Sequence, residues 1–213
     1  QYLAEWAEDD GQVFKSNDEL FDVEDWQIFD GPFLMGLDIG KLNDYTVAYV
    51  VDIPTMSVVA MDRFSGLDYT VLVPRVTNLF HSFACQTIHT DASGVGEPVV
   101  DMLRQEGCSV APFKFTNQSK AKIISGLAAE IEHKRVHFLK NDEQLRKELN
   151  LYEGKVMAGG QIRYSAPVGY HDDCVIALAL AVEKAKKRRN TSRTANSGSY
   201  LTFSESESWM RGW

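Results

Sequence analysis

The chain has 213 residues, of which 44% are hydrophobic and 11% are aromatic, which is enough to bury one good core. Its formal net charge of -8 argues against a protein that coats nucleic acid through bulk electrostatics, because phosphate binding depends on lysines and arginines. No apolar run approaches the roughly 18 residues that span a bilayer. The three cysteines form no CxxC pair, so we expect a soluble intracellular protein that is not secreted.

Five short segments have the composition of β-strands and are bounded by turn-compatible residues. They predict strands at residues 33–39, 44–52, 57–64, 87–91 and 110–115. The first three follow one another through short connections and therefore predict an antiparallel meander. Residues 155–166 predict a β-hairpin, because Gly159-Gly160 at its centre provides the positive φ angles of a tight turn.

Helices are predicted between and after these strands, where apolar residues recur every three or four positions. They start near Thr70, cover residues 97–106, include positions 124–131, follow an N-cap at Asp142, and cover residues 171–187. The alternation of strands and helices predicts an α/β fold, in which a mixed five-stranded sheet of a meander plus parallel strands is flanked by helices and carries an added hairpin.

Changes in composition along the chain predict three regions. Residues 1–30 are acid-rich with scattered aromatics, so we expect a linker or the remnant of a preceding domain. Residues 31–187 predict one compact domain. Residues 188–213 turn Ser- and Asn-rich, and we expect a flexible C-terminal tail whose aromatic residues are docking points.

Aspartates at three separated places carry the functional hypothesis. Asp38 interrupts an apolar strand, Asp91 ends the fourth strand, and Asp172-Asp173 begin the last helix. In an open α/β sheet, sites gather at the carboxyl ends of strands. If the first and fourth strands are adjacent, Asp38 and Asp91 lie side by side, and the last helix delivers Asp172 or Asp173 to the same place.

Such a cluster needs protons or hard cations among its members, because neighbouring carboxylates repel one another where water is scarce. Mg²⁺ and Mn²⁺ prefer these oxygen ligands, and two such ions would hold a phosphodiester, one activating a water and the other stabilising the leaving oxygen. Each acid also has a simpler interpretation. Asp38 could pair with Lys41, Asp91 could be a strand-end residue, and Asp172-Asp173 could be a pair favoured by a helix dipole.

Three motifs together resemble the nuclease domain of the large terminase subunit of tailed bacteriophages. The motifs are Gly36-Leu37-Asp38-Ile39-Gly40 with Asp44-Tyr45-Thr46-Val47, His89-Thr90-Asp91-Ala92-Ser93-Gly94-Val95-Gly96, and His171-Asp172-Asp173-Cys174-Val175-Ile176-Ala177-Leu178-Ala179. The resemblance covers about residues 31–187. It implies a ribonuclease H-like fold and an endonuclease that cuts concatemeric double-stranded DNA at the initiation and completion of packaging.

The resemblance also implies which residues and cofactors act. Asp38, Asp91, Asp172 and Asp173 would be the catalytic metal ligands for Mg²⁺ or Mn²⁺, two ions in all, with Asp38 bridging them. The predicted hairpin would border the site and gate DNA entry. The motor of this family is a separate ATPase domain, of which residues 1–30 would be the end or the linker. No GxxxxGK[ST] motif occurs, so we expect no ATP hydrolysis by this chain.

Further residues and partners follow from the same hypothesis. The residues predicted to contact DNA are Lys41, Ser93, Lys114, Lys120, Lys122 and Lys155. The implied partners are double-stranded DNA, the upstream ATPase domain, the portal protein and the small terminase subunit, with no membrane. The implied location is the host cell cytoplasm, with transient docking at the procapsid portal.

Three other functions remain open at this stage. An actin-like or sugar-kinase-like ATPase also begins with a Gly-x-Asp-x-Gly strand, but it needs a second glycine-rich phosphate loop and a longer chain. A resolvase or an integrase shares the ribonuclease H-like fold and the metal chemistry. A non-catalytic module that docks to a portal or small terminase subunit is the third alternative.

Overall fold

The structure is a computed structural model, and it describes residues 11–198 apart from residues 16, 41–43, 92–95 and 159. Five strands form the central sheet. They are β1 (Phe33–Asp38), β2 (Tyr45–Asp52), β3 (Ser57–Ser65), β4 (Ile88–Asp91) and β5 (Val110–Phe113). Their order is β3-β2-β1-β4-β5, so β1 lies at the centre.

The sheet is mixed, as the sequence predicts. β1 pairs antiparallel with β2, and β2 pairs antiparallel with β3, which completes the meander. On the other side, β1 pairs parallel with β4, and β4 pairs parallel with β5. Strand pairing therefore changes from antiparallel to parallel at β1. The carboxyl ends of β1 and β4 lie side by side at the same edge of the sheet.

In the described part of the chain, five α-helices cover the two faces of the sheet. They are α1 (Tyr69–Ser82), α2 (Gly96–Gln105), α3 (Asn117–Glu132), α4 (Glu143–Leu151) and α5 (Asp173–Gly198). One core cluster packs α1 and α2 against one face, and a second packs α3, α4 and α5 against the other. Successive side chains of β2 point to opposite faces of the sheet, so β2 contributes to both clusters. Tyr49 belongs to the cluster on the α5 side, and Val50 belongs to the cluster on the α1 side.

Two of the helices begin with local caps. The Thr116 hydroxyl accepts a hydrogen bond from Ser119 N, and the Ser119 hydroxyl accepts one from Thr116 N in return, which forms a capping box for α3. The predicted cap at Asp142 is confirmed, since its carboxylate accepts from Leu145 N at 2.9 Å. The same carboxylate accepts the Tyr49 hydroxyl at 2.6 Å, which ties α4 to the sheet.

Close contact between α5 and β1 depends on a glycine. A Cβ at Gly36 would lie 2.2 Å from Ala177 O and 2.7 Å from Ala181 Cβ, so only a residue without a side chain fits there. Ala177 and Ala181 are themselves fully buried. The small residues on both elements let α5 lie directly on the sheet, and its first residues reach the carboxyl end of β1.

The predicted hairpin is confirmed. It consists of β6 (Glu153–Val156) and β7 (Ile162–Ser165), paired antiparallel. Gly160 adopts a φ of +75°, while Gly159 lies outside the described residues. The hairpin is separate from the central sheet, and β7 packs against α3.

The N-terminal segment differs from the expected linker. Phe14, Leu20, Phe21 and Val23 are buried, and the first three belong to the core on the α5 side. Val13 N donates to Tyr152 O at 3.0 Å, which fixes this segment to the end of α4. Long-range packing of Phe14 and Phe21 therefore holds the described residues of this segment against the core, although their acidic composition suggested a linker.

The last helix is longer than predicted. It continues to Gly198, so residues 188–198 are helical, and the remainder of the expected tail lies outside the described residues. Ion pairs from Lys187 to Glu183 at 2.9 Å and from Arg189 to the buried Glu130 at 3.5 Å favour this continuation. No helix in the described part of the chain has the length and apolar character needed to cross a bilayer.

Candidate active site

Adjacent parallel strands bring two of the predicted acids together. Asp38 is the last residue of β1 and Asp91 is the last residue of β4. The register pairs Leu37 with Thr90, so the two aspartates follow directly and stand side by side. Both are partly buried. The sequence prediction that they meet, which required β1 and β4 to be neighbours, is confirmed by the strand order.

The other two acids come from the start of α5. Asp173 is its first residue and is buried, and Asp172 precedes it with a side chain that is 28% exposed. The backbone N–H of Tyr45 lowers the pKa of Asp173, and His171 Nδ1 lies 3.5 Å from Asp173 Oδ2. That buried Oδ2 has no hydrogen-bond partner in the described part of the chain. An acceptor atom is therefore available at the site.

Electrostatic repulsion links all four acids. Burial raises the pKa of Asp38 well above its usual range, and the charges of Asp173, Asp172 and Asp91 raise it further. The pKa of Asp173 is also raised, first by burial and then by Asp172, while His171 opposes the shift. The four carboxylates thus share one region of negative potential at the carboxyl end of β1.

One cation of the chain partly offsets this charge. Lys120 Nζ, from the first turn of α3, lies 3.0 Å from Asp172 Oδ2, and both side chains are mostly buried. The charge of Lys120 lowers the pKa of Asp38. The sequence predicts a DNA contact for Lys120, whereas the structure shows an ion pair with a predicted metal ligand.

A buried acid that the sequence analysis missed holds the start of α5. Glu148 Oε2 accepts hydrogen bonds from Cys174 N at 2.9 Å and from Val175 N at 3.2 Å, and its Oε1 accepts from Gln144 at 2.9 Å. These are the free N–H groups of a helix N-terminus, which a carboxylate stabilises. Glu148 therefore positions Asp172 and Asp173. Its place between Leu145 and Leu149 on the apolar face of α4 was the signal in the sequence.

Tyr152 is a second missed residue beside the acids. Its side chain is fully buried, and its hydroxyl has no hydrogen-bond partner in the described part of the chain. Burial raises the pKa of this hydroxyl, and the charge of Asp172 raises it further. Tyr152, at the end of α4, thus lies next to the acid cluster.

Observations both against and in favour of metal binding come from the four acids. In the described ranges, no group of three or more His, Cys, Asp or Glu side chains is arranged to hold an ion. The donor set is nevertheless of hard carboxylate oxygens, Asp173 Oδ2 is unpartnered, and Asp38 is repelled by its neighbours. The chemistry of the residues present therefore fits a hard divalent cation.

The other residues predicted to contact DNA lie at different places. Lys114 and Lys122 are exposed at the end of β5 and on α3. Lys155 is exposed on β6, where its Nζ lies 3.2 Å from Glu153. Lys41 and Ser93 lie outside the described residues.

A meander followed by two parallel strands, crossed by a helix that brings acids to the end of β1, defines a ribonuclease H-like domain. The motif resemblance and the fold therefore agree. The model of the family described as "Terminase RNaseH-like domain" matches residues 35–185. The chain belongs to this family.

Individual relatives agree with this membership. The large terminase subunit of Thermus virus P23-45 is 30% identical in an alignment 194 residues long, which covers 85% of this chain and 39% of that protein. The crystal structure of the large terminase nuclease from thermophilic phage G20c superposes with a TM-score of 0.72 at 25% identity, over 81% of this chain and 98% of the other. The crystal structure of the same nuclease with bound magnesium superposes with a TM-score of 0.72 at 25% identity, over 81% of this chain and 97% of the other.

The share of each relative that this chain covers shows which part of a large terminase subunit it corresponds to. It spans about two fifths of the length of the curated relatives it matches, and nearly the full length of the solved G20c nuclease. The region in common is therefore the nuclease domain of a large terminase subunit.

Proposed function

We propose that the domain is a divalent-metal-dependent DNA endonuclease, which cuts concatemeric double-stranded DNA at the initiation and completion of viral packaging. The observation that carries this proposal is the convergence of Asp38, Asp91, Asp172 and Asp173 at one edge of the sheet. The G20c nuclease, 25% identical, binds magnesium in one of its structures, which supports the same chemistry here.

Asp38, Asp91, Asp172 and Asp173 would hold the ions, Mg²⁺ or Mn²⁺ and two in number. Such ions activate a water and neutralise charge at the phosphate when they are bound. The residues of the chain prepare this site. Glu148 fixes the start of α5, the sheet fixes Asp38 beside Asp91, and Lys120 limits the repulsion among the acids. Hydrolysis would leave a 5′-phosphate and a 3′-hydroxyl.

The domain would rely on other parts of the assembly to retain DNA. Its net charge of -8 predicts weak, salt-sensitive binding on its own. An upstream ATPase domain of the same polypeptide, the small terminase subunit and the portal protein would hold the duplex at the procapsid, in the host cytoplasm. The hairpin of β6 and β7 would control entry of DNA to the acids.

Cleavage of supercoiled plasmid by the purified domain tests the proposal. With Mg²⁺ or Mn²⁺ we expect nicked and linear products, and with EDTA we expect none. Asp38→Asn and Asp91→Asn should each lower the initial rate at least about 100-fold, as loss of a group central to catalysis does.

The matched control is an aspartate of similar chemistry outside the cluster. Asp101 lies on α2, is 66% exposed at its side chain and pairs with Arg104 at 3.3 Å. Asp101→Asn should cleave at the wild-type rate. Cleavage that persists in EDTA, or that Asp38→Asn leaves unchanged, would contradict the metal-dependent nuclease.

A further inference from the structure

An open cleft lies next to the acid cluster, on the side of β2 and β3. Its volume is about 270 Å³, close to the lower end of the range of about 300–1,000 Å³ found for small-ligand sites. Tyr45, Arg63, Lys147, Tyr170 and His171 are among its lining residues. The cleft is therefore large enough for one compact group, and it is lined by cationic and aromatic side chains.

The cleft shares two residues with the surroundings of the acids. His171 lines the cleft, and its Nδ1 lies 3.5 Å from Asp173 Oδ2. Tyr45 also lines the cleft, and its backbone N–H lowers the pKa of Asp173. Phosphates along one strand of a duplex are about 3.4 Å apart along the helix axis. A strand with one phosphate at the acids would therefore place a neighbouring nucleotide in the cleft.

Arg63 is held in a position suited to bind an anion. Its guanidinium carbon lies 3.3 Å from the centre of the Tyr45 ring, and the His171 ring meets the same Tyr45 ring edge-on at 5.4 Å. Stacking occupies the face of the guanidinium and leaves its N–H edge available for a phosphate. Its buried Nε has no hydrogen-bond partner in the described part of the chain.

Lys147 provides the second charge of the cleft. It is exposed on α4, and its Nζ lies 5.7 Å from the centre of the Tyr170 ring, which is itself 50% exposed. Between residues 11 and 198, as far as they are described, neither Arg63 nor Lys147 forms an ion pair with a carboxylate. These two charges are therefore available to a ligand.

The acids near the cleft are occupied by other partners. Glu148 lines it, but its oxygens accept from Cys174 N, Val175 N and Gln144. Asp142, whose pKa the charge of Arg63 lowers against the larger effect of burial, accepts from Tyr49 and from Leu145 N. Neither carboxylate forms an ion pair with Arg63 in the part of the chain that the structure describes.

We propose that this cleft binds one nucleotide of the DNA strand, next to the phosphate that lies at the acid cluster. Arg63 and Lys147 hold its phosphate, and the rings of Tyr45 and Tyr170 border its sugar and base. This inference rests on the proposed function, because it takes the ligand to be the DNA that the acids cleave.

Equilibrium binding of a fluorescent DNA duplex to catalytically inactive Asp91→Asn protein, without metal, tests the cleft separately from cleavage. Adding Arg63→Met should weaken binding about tenfold, since hydrogen bonds to charged groups are worth roughly that factor. Adding Lys147→Met should lower the slope of log affinity against log salt by about 1. Because Lys147 is exposed, this variant remains informative if the loss of stacking in Arg63→Met impairs folding.

Arg75→Met is the matched control. Arg75 also stacks on an aromatic ring, 4.6 Å from the centre of Phe64, but it pairs with Asp62 and is not part of the cleft. We expect it to bind DNA like the parent protein. If Lys147→Met and a folded Arg63→Met bind as Arg75→Met does, the cleft proposal is wrong.

The two proposals can fail separately. Dependence of binding on Arg63 and Lys147, with no cleavage under any metal, would support the cleft and refute the nuclease. Loss of cleavage in Asp38→Asn, together with unchanged DNA binding by Arg63→Met and Lys147→Met, would support the nuclease and refute the cleft.

Discussion

Substitution of Gly36 by alanine should show how strongly the site depends on the contact between β1 and α5. The added Cβ would lie 2.2 Å from Ala177 O, about 1.2 Å short of the 3.4 Å at which ordinary contact begins. The obstacle is backbone, so α5 must move. Overpacking of this kind costs about 1–3 kcal/mol, and we expect the upper end. For a domain of this size, about 3 kcal/mol lowers Tm by about 6–12 °C.

Cleavage should fall together with stability. α5 carries Asp173 at its first position, and a displacement of about 1 Å between reacting groups can cost about 100-fold in rate. Thermal melting by circular dichroism measures the first effect, and the initial rate of plasmid nicking well below the lowered Tm measures the second.

Gly126→Ala is the control for the same chemical change in an open place. Gly126 lies within α3, and no atom lies within 4 Å of a Cβ built there. We expect stabilisation by about 0.5–1 kcal/mol, because glycine is a poor helix former. If Gly36→Ala melts no lower than wild type, the close approach of α5 to β1 is not a constraint on this fold.

Two further predictions concern titratable groups. Asp38→Asn should raise Tm at neutral pH, because it removes a carboxylate that burial and its acidic neighbours destabilise. We expect a rise of about 2–4 °C, which corresponds to about 1 kcal/mol. A lower Tm would contradict this. His89 donates from Nδ1 to Leu180 O at 2.7 Å, and burial lowers its pKa. Protonation therefore favours the unfolded chain, and stability should fall as pH drops below about 6.5, by at most about 1.4 kcal/mol per pH unit. Chemical denaturation from pH 7.5 to 5.5 should show a steeper loss for wild type than for His89→Gln, and equal slopes would contradict it.

The sequence predicted those features that local rules or strand order determine. The cap at Asp142 is a local rule, since an aspartate before a helix accepts a nearby N–H. The meeting of Asp38 and Asp91 follows once β1 and β4 are adjacent, because parallel strands end at the same edge. Short motifs thus located the three elements that carry the acids, which are β1, β4 and α5.

Long-range contacts account for what the sequence did not predict. Lys120 and Asp172 are 52 positions apart, and their ion pair depends on how α3 packs against α5. Glu148 is an acid on an apolar helix face, and its role appears only when the start of α5 is placed above it. The burial of Phe14 has the same origin, because its partner Tyr152 is distant in the chain.

The packing of residues 11–14 has a mechanical consequence. Gly11 O accepts from Gly154 N at 2.8 Å, Gln12 forms a bridge with Glu153, and Val13 N donates to Tyr152 O. A pull on the polypeptide ahead of Gly11 would therefore act first on β6 and on the end of α4. Tension in the incoming backbone would reach the hairpin and the base of the acid cluster before it reached the rest of the sheet.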